Sequence, residues 1–396
     1  MTVSLVELKS HVEQAAESLR ELLLEISHTI HANPELAFQE YQASALLTAT
    51  LEEHGFEVER GSGGLETAFT ATSWTSGDGP TIALLSEYDA LPEIGHACGH
   101  NIIATVPIGA GLILRSLMPQ GTGRLKIIGT PAEEYGGGKI KMLRAGVFEG
   151  VDVAMMVHPS TRHMTTRGSL AFNSLTFEFF GKAAHAASAP YQGINALDAI
   201  IMTFNNINAL RQQVRDDGRI HGIITDGGVA PNVIPDYTRA RFIVRAQDVG
   251  YLDTLTERVI NCARGAATAT GAELKVDSRK GYANMVPNPV LADLYERNLE
   301  ALGIRVDEPD PREPMGSTDM GNVSQAMPSI HPYVAIAPPG VAGHSVEMRE
   351  AAGSPQGDEG LMLSVKAMAM TVLDLLVQPD LVTQARQAFE GTVEAR

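Results

Sequence analysis

The chain has 396 residues, 44% hydrophobic and 19% charged, with a formal net charge of -17 at pH 7. That length exceeds what one hydrophobic core usually serves, so two domains are expected, and the composition excludes a disordered chain. The acidity opposes binding to nucleic acid or to an anionic membrane surface, since each of these needs a basic face. Two cysteines, Cys98 and Cys262, are too few for a disulfide framework. The N-terminal residues show a charged amphipathic pattern without a basic and apolar leader, and no uninterrupted apolar run approaches bilayer length. A cytoplasmic location is the expectation.

Apolar positions at helical spacing predict a helix over Val6–Asn33, stopped by Pro34, and a second over Glu40–His54, closed by Gly55. The glycine-rich stretch Gly61–Gly79 is expected to hold at least one strand and a turn. Three short apolar runs, Thr81–Ser86, Arg124–Gly129 and Val151–Val157, read as strands, with helices Asn101–Leu117 and Gly138–Ala145 between them. Strand alternating with helix predicts an α/β domain with a mainly parallel sheet and helices on both faces. From about Leu170 the order becomes strand (Ser174–Phe180), helix (Ala196–Arg215), two strands (His221–Thr225, Thr238–Ala246), helix (Tyr251–Thr268) and strand (Leu274–Ser278). That order predicts an inserted ferredoxin-like α+β domain. The expected division is 1–170 and 285–396 as the two parts of one domain, with 171–284 inserted; helices over Leu291–Leu302 and Leu361–Val377 and a strand over Tyr333–Ile336 complete the outer part.

In open parallel sheets, ligands bind at the carboxyl ends of the strands. The residues with metal or acid–base chemistry fall there: Asp89 after the first strand, Glu133 and Glu134 after the second, His158 after the third. The loop Gly95-His96-Ala97-Cys98-Gly99-His100-Asn101 adds a thiolate and imidazoles, the side chains that hold zinc-like ions. With His344, these make Cys98, His100, Glu134, His158 and His344 five candidate ligands, enough for two ions with a shared ligand and open positions for water. Of two adjacent carboxylates, one can ligate while the other serves as general base. Each feature taken singly also admits a plainer reading: a helix entry at 95–101, an acidic first helix turn at 133–134, loop histidines at 158 and 344. Cys262 reads as a core residue of its helix.

The ordered set Tyr88-Asp89-Ala90-Leu91-Pro92, His96-Ala97-Cys98-Gly99-His100, Pro131-Ala132-Glu133-Glu134, Val157-His158-Pro159, Gly181-Lys182-Ala183-Ala184-His185-Ala186 and Asn232-Val233-Ile234-Pro235-Asp236 spans nearly the whole chain. It resembles the aminoacylase and carboxypeptidase group of dinuclear metallopeptidases, family twenty. The branch it resembles holds indole-acetyl-amino-acid hydrolases, aminobenzoyl-glutamate hydrolases and β-alanyl-lysine dipeptidases. The segments Gly316–Ser324 and Ile330–Tyr333 are most similar to the last two. The resemblance implies an amidohydrolase or dipeptidase with two divalent ions, zinc first and manganese or cobalt as alternatives, acting on a small N-acyl amino acid or dipeptide. It implies Cys98, His100, Glu134, His158 and His344 as ligands, Glu133 as general base for a metal-activated water, and Asp89 as the group orienting a ligand histidine. It further implies that His185 stabilises the oxyanion from the partner subunit of a homodimer formed through the inserted lid, and that Asn232 and Arg245 contact a substrate carboxylate.

Read from the residues alone, His185 could instead cap the turn before Pro190, and Arg245 could pair with Asp236 or Asp248. His96 reads as a neighbour of the ligands and His331 as structural. Two departures from the wider branch are Asn101 and Glu87, where many members carry aspartate; both bear on metal preference. Alternatives to the dipeptidase reading are a deacylase for aromatic or fatty conjugates and a catalytically silent ligand-binding homologue.

Overall fold

The strand Thr81–Glu87 is buried at every position, because a layer of helices covers each face of its sheet. The computed structural model describes residues 4–73, 79–118, 123–309 and 315–394. In chain order the elements are α1 (Leu5–Ala32), α2 (Tyr41–Glu53), β1 (Glu57–Arg60), β2 (Phe69–Ser73), β3 (Thr81–Glu87), α3 (His100–Leu117), β4 (Arg124–Thr130), α4 (Gly138–Arg144), β5 (Val153–Met155) and β6 (His158–Ser160). Next come β7 (Ala171–Phe180), α5 (Ala196–Leu210), β8 (Arg219–Asp226), β9 (Tyr237–Ala246), α6 (Val249–Thr270) and β10 (Glu273–Lys280). The remainder is α7 (Pro289–Ala301), α8 (Met320–Ser324), β11 (Ser329–Ile330), β12 (Tyr333–Ala335), α9 (Val346–Ala352), α10 (Pro355–Val377) and α11 (Asp380–Glu394). Residues 74–78, within the expected Gly61–Gly79 strand and turn, lie outside the described residues.

The chain forms two units, one of Met1–Gly168, Met285–Pro314 and Asp319–Arg396, the other of Ser169–Asn284 with Met315–Thr318. The short Met315–Thr318 segment goes with the second unit, where the Leu170 amide donates to the Gly316 carbonyl at 2.8 Å.

The first unit has a sheet of order β1-β2-β4-β3-β5-β11. Its four strands β4, β3, β5 and β11 are parallel, and β1 and β2 add an antiparallel edge. Period-2 alternation splits β3 between two cores. Ile82 and Leu84 face a cluster with Val106 of α3, Leu23 of α1 and Val365 of α10, whereas Ala83 and Leu85 face Met142 of α4 and Val323 of α8. The fold class is therefore mixed α/β with a mainly parallel sheet.

Two local expectations are corrected. The strand expected over Val151–Val157 keeps only three residues, Val153–Met155, the three that pair with Ile82–Leu84 of β3; Met156 and Val157 are buried apolar residues beyond that ladder, and the chain then restarts as β6 against β12. The helix expected to reach Arg215 ends at Leu210 in a tighter turn over Arg211–Gln213. Two helices, His100–Leu117 and Pro355–Val377, are long and apolar enough on average to cross a membrane, although polar and charged residues interrupt both, in keeping with the expectation of no uninterrupted apolar run of that length. Both are largely buried in the first unit, where α10 packs on α1, α3 and α7, so their apolar girth serves the core.

The second unit has a sheet of order β10-β7-β9-β8, all neighbours antiparallel. With α5 and α6 packed on one face, this is the ferredoxin-like arrangement. Side-chain caps from Asn195 and Asp248 start its two helices by accepting from first-turn amides.

In the first unit, Glu40 ties the start of α2 to the turn that precedes Glu133. It has no exposed surface, and its carboxylate accepts from Thr67 Oγ1 at 2.7 Å, the Phe38 amide at 2.9 Å and the Ala132 amide at 3.0 Å. Burial pushes its carboxyl up to about 7 against the pull of the Thr67 hydroxyl. A raised folded pKa favours the protonated form, so this group's contribution is complete below the ordinary value of 4.5 and is lost as pH rises to about 7. The loss is on the order of 3 kcal/mol from the linkage relation. Glu40→Gln keeps an acceptor for the two amides and removes the titration. It is expected to raise the melting temperature more at pH 8 than at pH 5; an equal gain at both would contradict the buried-acid assignment.

Candidate metal centre

Because β3, β4 and β5 run parallel, their carboxyl ends share one edge, and the loops leaving that edge carry the polar residues. Asp89 follows β3, Glu133 and Glu134 follow β4, and His158 opens β6 just beyond β5. Cys98 and His100 sit at the entrance to α3. Gly99 between them has φ +77, and a side chain there would run into the Pro159 ring, so glycine allows the loop to close on the residue next to His158. Gly138 at the start of α4 is held so close that a Cβ would overlap the Pro131 carbonyl, which tightens the turn carrying Glu133 and Glu134. His344 comes from the loop before α9 with a left-handed φ of 58, its amide donating to the Ala97 carbonyl at 3.2 Å.

Backbone carbonyls orient two of the imidazoles. His100 Nδ1 lies 2.7 Å from the Asp89 carbonyl and 3.3 Å from Asp89 Oδ1; His158 Nδ1 lies 2.6 Å from the Pro159 carbonyl. A proton on each Nδ1 satisfies these acceptors and leaves each Nε2 with its lone pair inward. His158 Nε2 is 3.5 Å from Cys98 Sγ. His344 Nε2 is 3.3 Å and His100 Nε2 3.9 Å from Glu134 Oε1. Two groups of donor atoms, Cys98–His100–His158 and Cys98–Glu134–His344, each lie within 4.8 Å of one another and share Cys98. A third group of the same tightness is Glu87–His100–Glu133.

The electrostatics call for positive charge. Glu87 Oε1, His100 Nε2 and Glu134 Oε1 are buried with no hydrogen-bond donor, an arrangement costly unless a cation lies among them. Enclosure pushes the Cys98 thiol up, but His158, His100 and His344 outweigh it and hold the group well below the usual thiol range, as thiolate. Burial disfavours an imidazolium at His100, yet Glu87, Asp89 and Cys98 drive it well above the usual histidine value. His344 is pushed up to about 10 by Cys98 and Glu134. Burial and the carboxylates of Glu87, Asp319 and Glu134 push Glu133 well above the carboxylate range. Soft thiolate, imidazole and carboxylate donors around a cation deficit fit zinc-like divalent ions at both Cys98-sharing positions.

Asp89, Cys98, His100, Glu133, Glu134, His158 and His344 are thus brought together on one edge of the first unit. His185, Asn232 and Arg245 belong to the second unit. There, His185 Nδ1 accepts from the Ala187 and Ser188 amides at 3.2 Å each, so it does cap a turn, and the Ala186 amide donates to the Asn232 carbonyl at 3.0 Å. Arg245 sits near the opposite end of β9, its Nη1 donating to Ser317 Oγ at 2.7 Å and its guanidinium over the Phe172 ring at 5.2 Å, rather than pairing with Asp236 or Asp248.

His96 is buried and stacks on His31, outside all three donor groups. His331 is buried edge-on to His158 at 5.5 Å. Asn101 also lies outside the donor groups: its amide nitrogen donates to Ser27 Oγ at 2.9 Å and the Ala352 carbonyl at 3.0 Å, bonds an aspartate could not make. It joins α3 to α1 and α9. Sequence reasoning missed Lys139 and Asp319, both wholly buried beside Glu87. The signals were a lysine directly after the triple glycine and an aspartate at the entrance to α8.

Residues 83–352 match the family model described as Peptidase family M20/M25/M40. The chain is 40% identical over 400 residues to a mouse protein named Xaa-Arg dipeptidase, covering 96% of this chain and 90% of that one. It is 32% identical to one of the p-aminobenzoyl-glutamate hydrolase chains of Escherichia coli, over 75% of this chain and 66% of that one. Among solved structures, a dinuclear metal binding peptidase from Bacillus subtilis matches with a TM-score of 0.72 at 20% identity, covering 91% and 99% of the two chains. An aminobenzoyl-glutamate utilization protein from Klebsiella pneumoniae matches with a TM-score of 0.71 at 19% identity, covering 92% and 98%. The family model over most of the chain and a relative matched almost end to end agree with the metal-ready edge of the sheet: the chain belongs to the M20/M25/M40 peptidase family.

Proposed function

We propose that the protein is a two-metal amidohydrolase that cleaves the amide bond of a dipeptide or small N-acyl amino acid. The observation that carries this is the set Cys98, His100, Glu134, His158 and His344 converging beside the second buried carboxyl, Glu133. In this reading those five residues hold the ions. Bound divalent ions supply Lewis-acid polarisation of the scissile carbonyl and make water nucleophilic at neutral pH. Glu133 takes a proton from the attacking water and returns it to the nitrogen that leaves as the amine. Asp89 fixes the tautomer of His100 through its carbonyl and carboxylate. Zinc is the proposed ion, because a shared thiolate favours a softer metal, with manganese and cobalt as alternatives.

Substrate contacts are assigned to the second unit. With Nδ1 of His185 accepting two amides, its proton is on Nε2, where it can donate to the developing oxyanion. The Ser317 hydroxyl and the Phe172 ring orient the Arg245 fork for a carboxylate, with Asn232 as a further polar contact. Tyr237 and Arg245 are ~27 Å apart along β9 at the usual strand rise, and His185 lies beyond the Tyr237 end. One small substrate cannot touch both in a single chain, which supports a homodimer whose subunits each lend His185 to the other. The edge strand β8 offers the surface: Ile223 and Ile224 are 64% and 41% exposed, and Val229 beyond it is fully exposed. A cytoplasmic location accords with the acidic composition.

The test of the activity is amine release from dipeptides ending in arginine or lysine, from aminobenzoyl-glutamate and from N-acetyl amino acids, alongside elemental analysis. About two metals per chain and hydrolysis abolished by chelation are expected, with activity restored by zinc, manganese or cobalt. Dipeptides with a basic C-terminal residue are placed first, in line with the mouse relative. Glu133→Gln is expected to keep both metals and lose roughly a hundred- to ten-thousand-fold in kcat; wild-type turnover in that variant would remove Glu133 from the chemistry.

The homodimer is tested by sedimentation. Wild type is expected as a dimer, and the double variant Ile223→Asp with Val229→Asp as a monomer with native metal content and activity lowered at least ~100-fold. A fully active monomer would overturn the shared-site reading.

A further inference from the structure

Beside the five proposed ligands lies a group of buried charges for which that reading has no task. Glu87, the last residue of β3, is 1% exposed. Its Oε2 accepts from the Lys139 ammonium, while its Oε1 lies 3.1 Å from His100 Nε2 and has no hydrogen-bond donor. Lys139 is wholly buried as well. Its Nζ donates to Asp319 Oδ1 at 2.8 Å and its backbone amide to Asp319 Oδ2 at 3.0 Å, so one carboxylate holds both ends of the residue.

This arrangement has a direction. The ammonium engages one oxygen of Glu87 and so fixes the carboxylate with the other turned toward the imidazole. With His100 neutral, as a metal ligand must be, its one proton on Nδ1 serves the Asp89 carbonyl and the atom that Oε1 meets is the lone-pair nitrogen. Two such acceptors 3.1 Å apart repel unless a positive charge, a proton or a metal ion, lies against both. Neutralising Lys139 would not require Glu87 to approach His100, since Asp319 already supplies an opposite charge.

We propose that Glu87 is a further metal-holding residue of this site, with Lys139, latched by Asp319, as the positioning residue that presents Glu87 Oε1 beside His100. The inference rests on the proposed two-metal reading. It adds a carboxylate to the ion held by His100, and the Lys139 charge offsets the extra negative charge so that the site is not overloaded with anions. Neither Lys139 nor Asp319 touches the ion.

The deciding experiment is a crystal structure of the zinc-loaded wild-type protein with anomalous scattering at the zinc edge. An ion with Glu87 Oε1 about 2.0–2.2 Å away supports the inference. Ions on Cys98 and His100 with Glu87 farther than about 3 Å overturn it while leaving the two-metal reading intact, and a protein that takes up no ion overturns both. In solution, competition of zinc against a chromophoric chelator gives a second readout. Glu87→Gln and Lys139→Met are each expected to weaken one of the two zinc affinities by about 10- to 100-fold and spare the other. Folded Glu87→Gln protein with both wild-type affinities would overturn the inference. If Lys139→Met does not fold, the wild-type crystal structure still decides.

Discussion

Lone pairs crowd the carboxyl edge of the parallel sheet, and much of the first unit keeps them there against their mutual repulsion. A collapsed core would normally expel such atoms or pair them with donors. Here the pairing is spent elsewhere: in the neutral form that would hold a metal, His100 and His158 each give their one N–H to a carbonyl, of Asp89 and Pro159, which leaves His100 Nε2 buried without a donor. The Glu134 amide donates to Asp89 Oδ2 at 2.9 Å, so the backbone of one proposed ligand is anchored on the group that orients another. Rigid supports of this kind make the cation deficit a stable property of the fold instead of something a side-chain rotation could relieve.

The same constraint explains why buried charge lies behind the donor set. Glu40, Glu87, Lys139 and Asp319 are all buried, a high concentration of ionisable groups for one interior. Each is tied to a backbone or charge partner. Glu40 grips the Ala132 amide, and Ala132 has a left-handed φ of 62 immediately before Glu133. Asp319 grips the Lys139 amide just after the glycine turn that follows Glu134. The two carboxylates therefore clamp the Glu133–Glu134 loop from both sides, which gives the adjacent carboxyls their separate directions.

Much of this was legible in the sequence because its periodicities are strong. Buried strands such as Thr81–Glu87 carry an unbroken apolar run, Ile82–Leu85, and β7 alternates cleanly, so the mixed α/β class and the ferredoxin-like order could be read directly. The ligand-type residues stood out because they follow strand ends in a parallel sheet. What could not be read is set by contacts between distant segments. The extent of β5 matches its ladder with Ile82–Leu84 of β3, a partner distant in the sequence. Glu87 reads as the polar end of an apolar run until Lys139 and Asp319 are placed beside it, and Asn101 reads as a site residue until Ser27 and Ala352 take its amide. Apolar girth likewise reflects packing between distant segments. His100–Leu117 and Pro355–Val377 carry membrane-like hydropathy because they pack together inside the first unit.

In the second unit, the proposed homodimer would account for two features that look independent. His185 is exposed and capped, Arg245 is half-buried and braced, and the length of β9 separates them. A monomer would have no reason to prepare both ends of a strand for one small ligand, or to leave isoleucines on an edge that invites strand pairing. In the proposed homodimer a second copy across that edge would give both features a use: it would cover Ile223 and Ile224, and it would allow the prepared histidine of one chain to serve the arginine of another. In this reading the apolar edge supplies the association energy, and the spacing of the two polar groups makes the association necessary for catalysis.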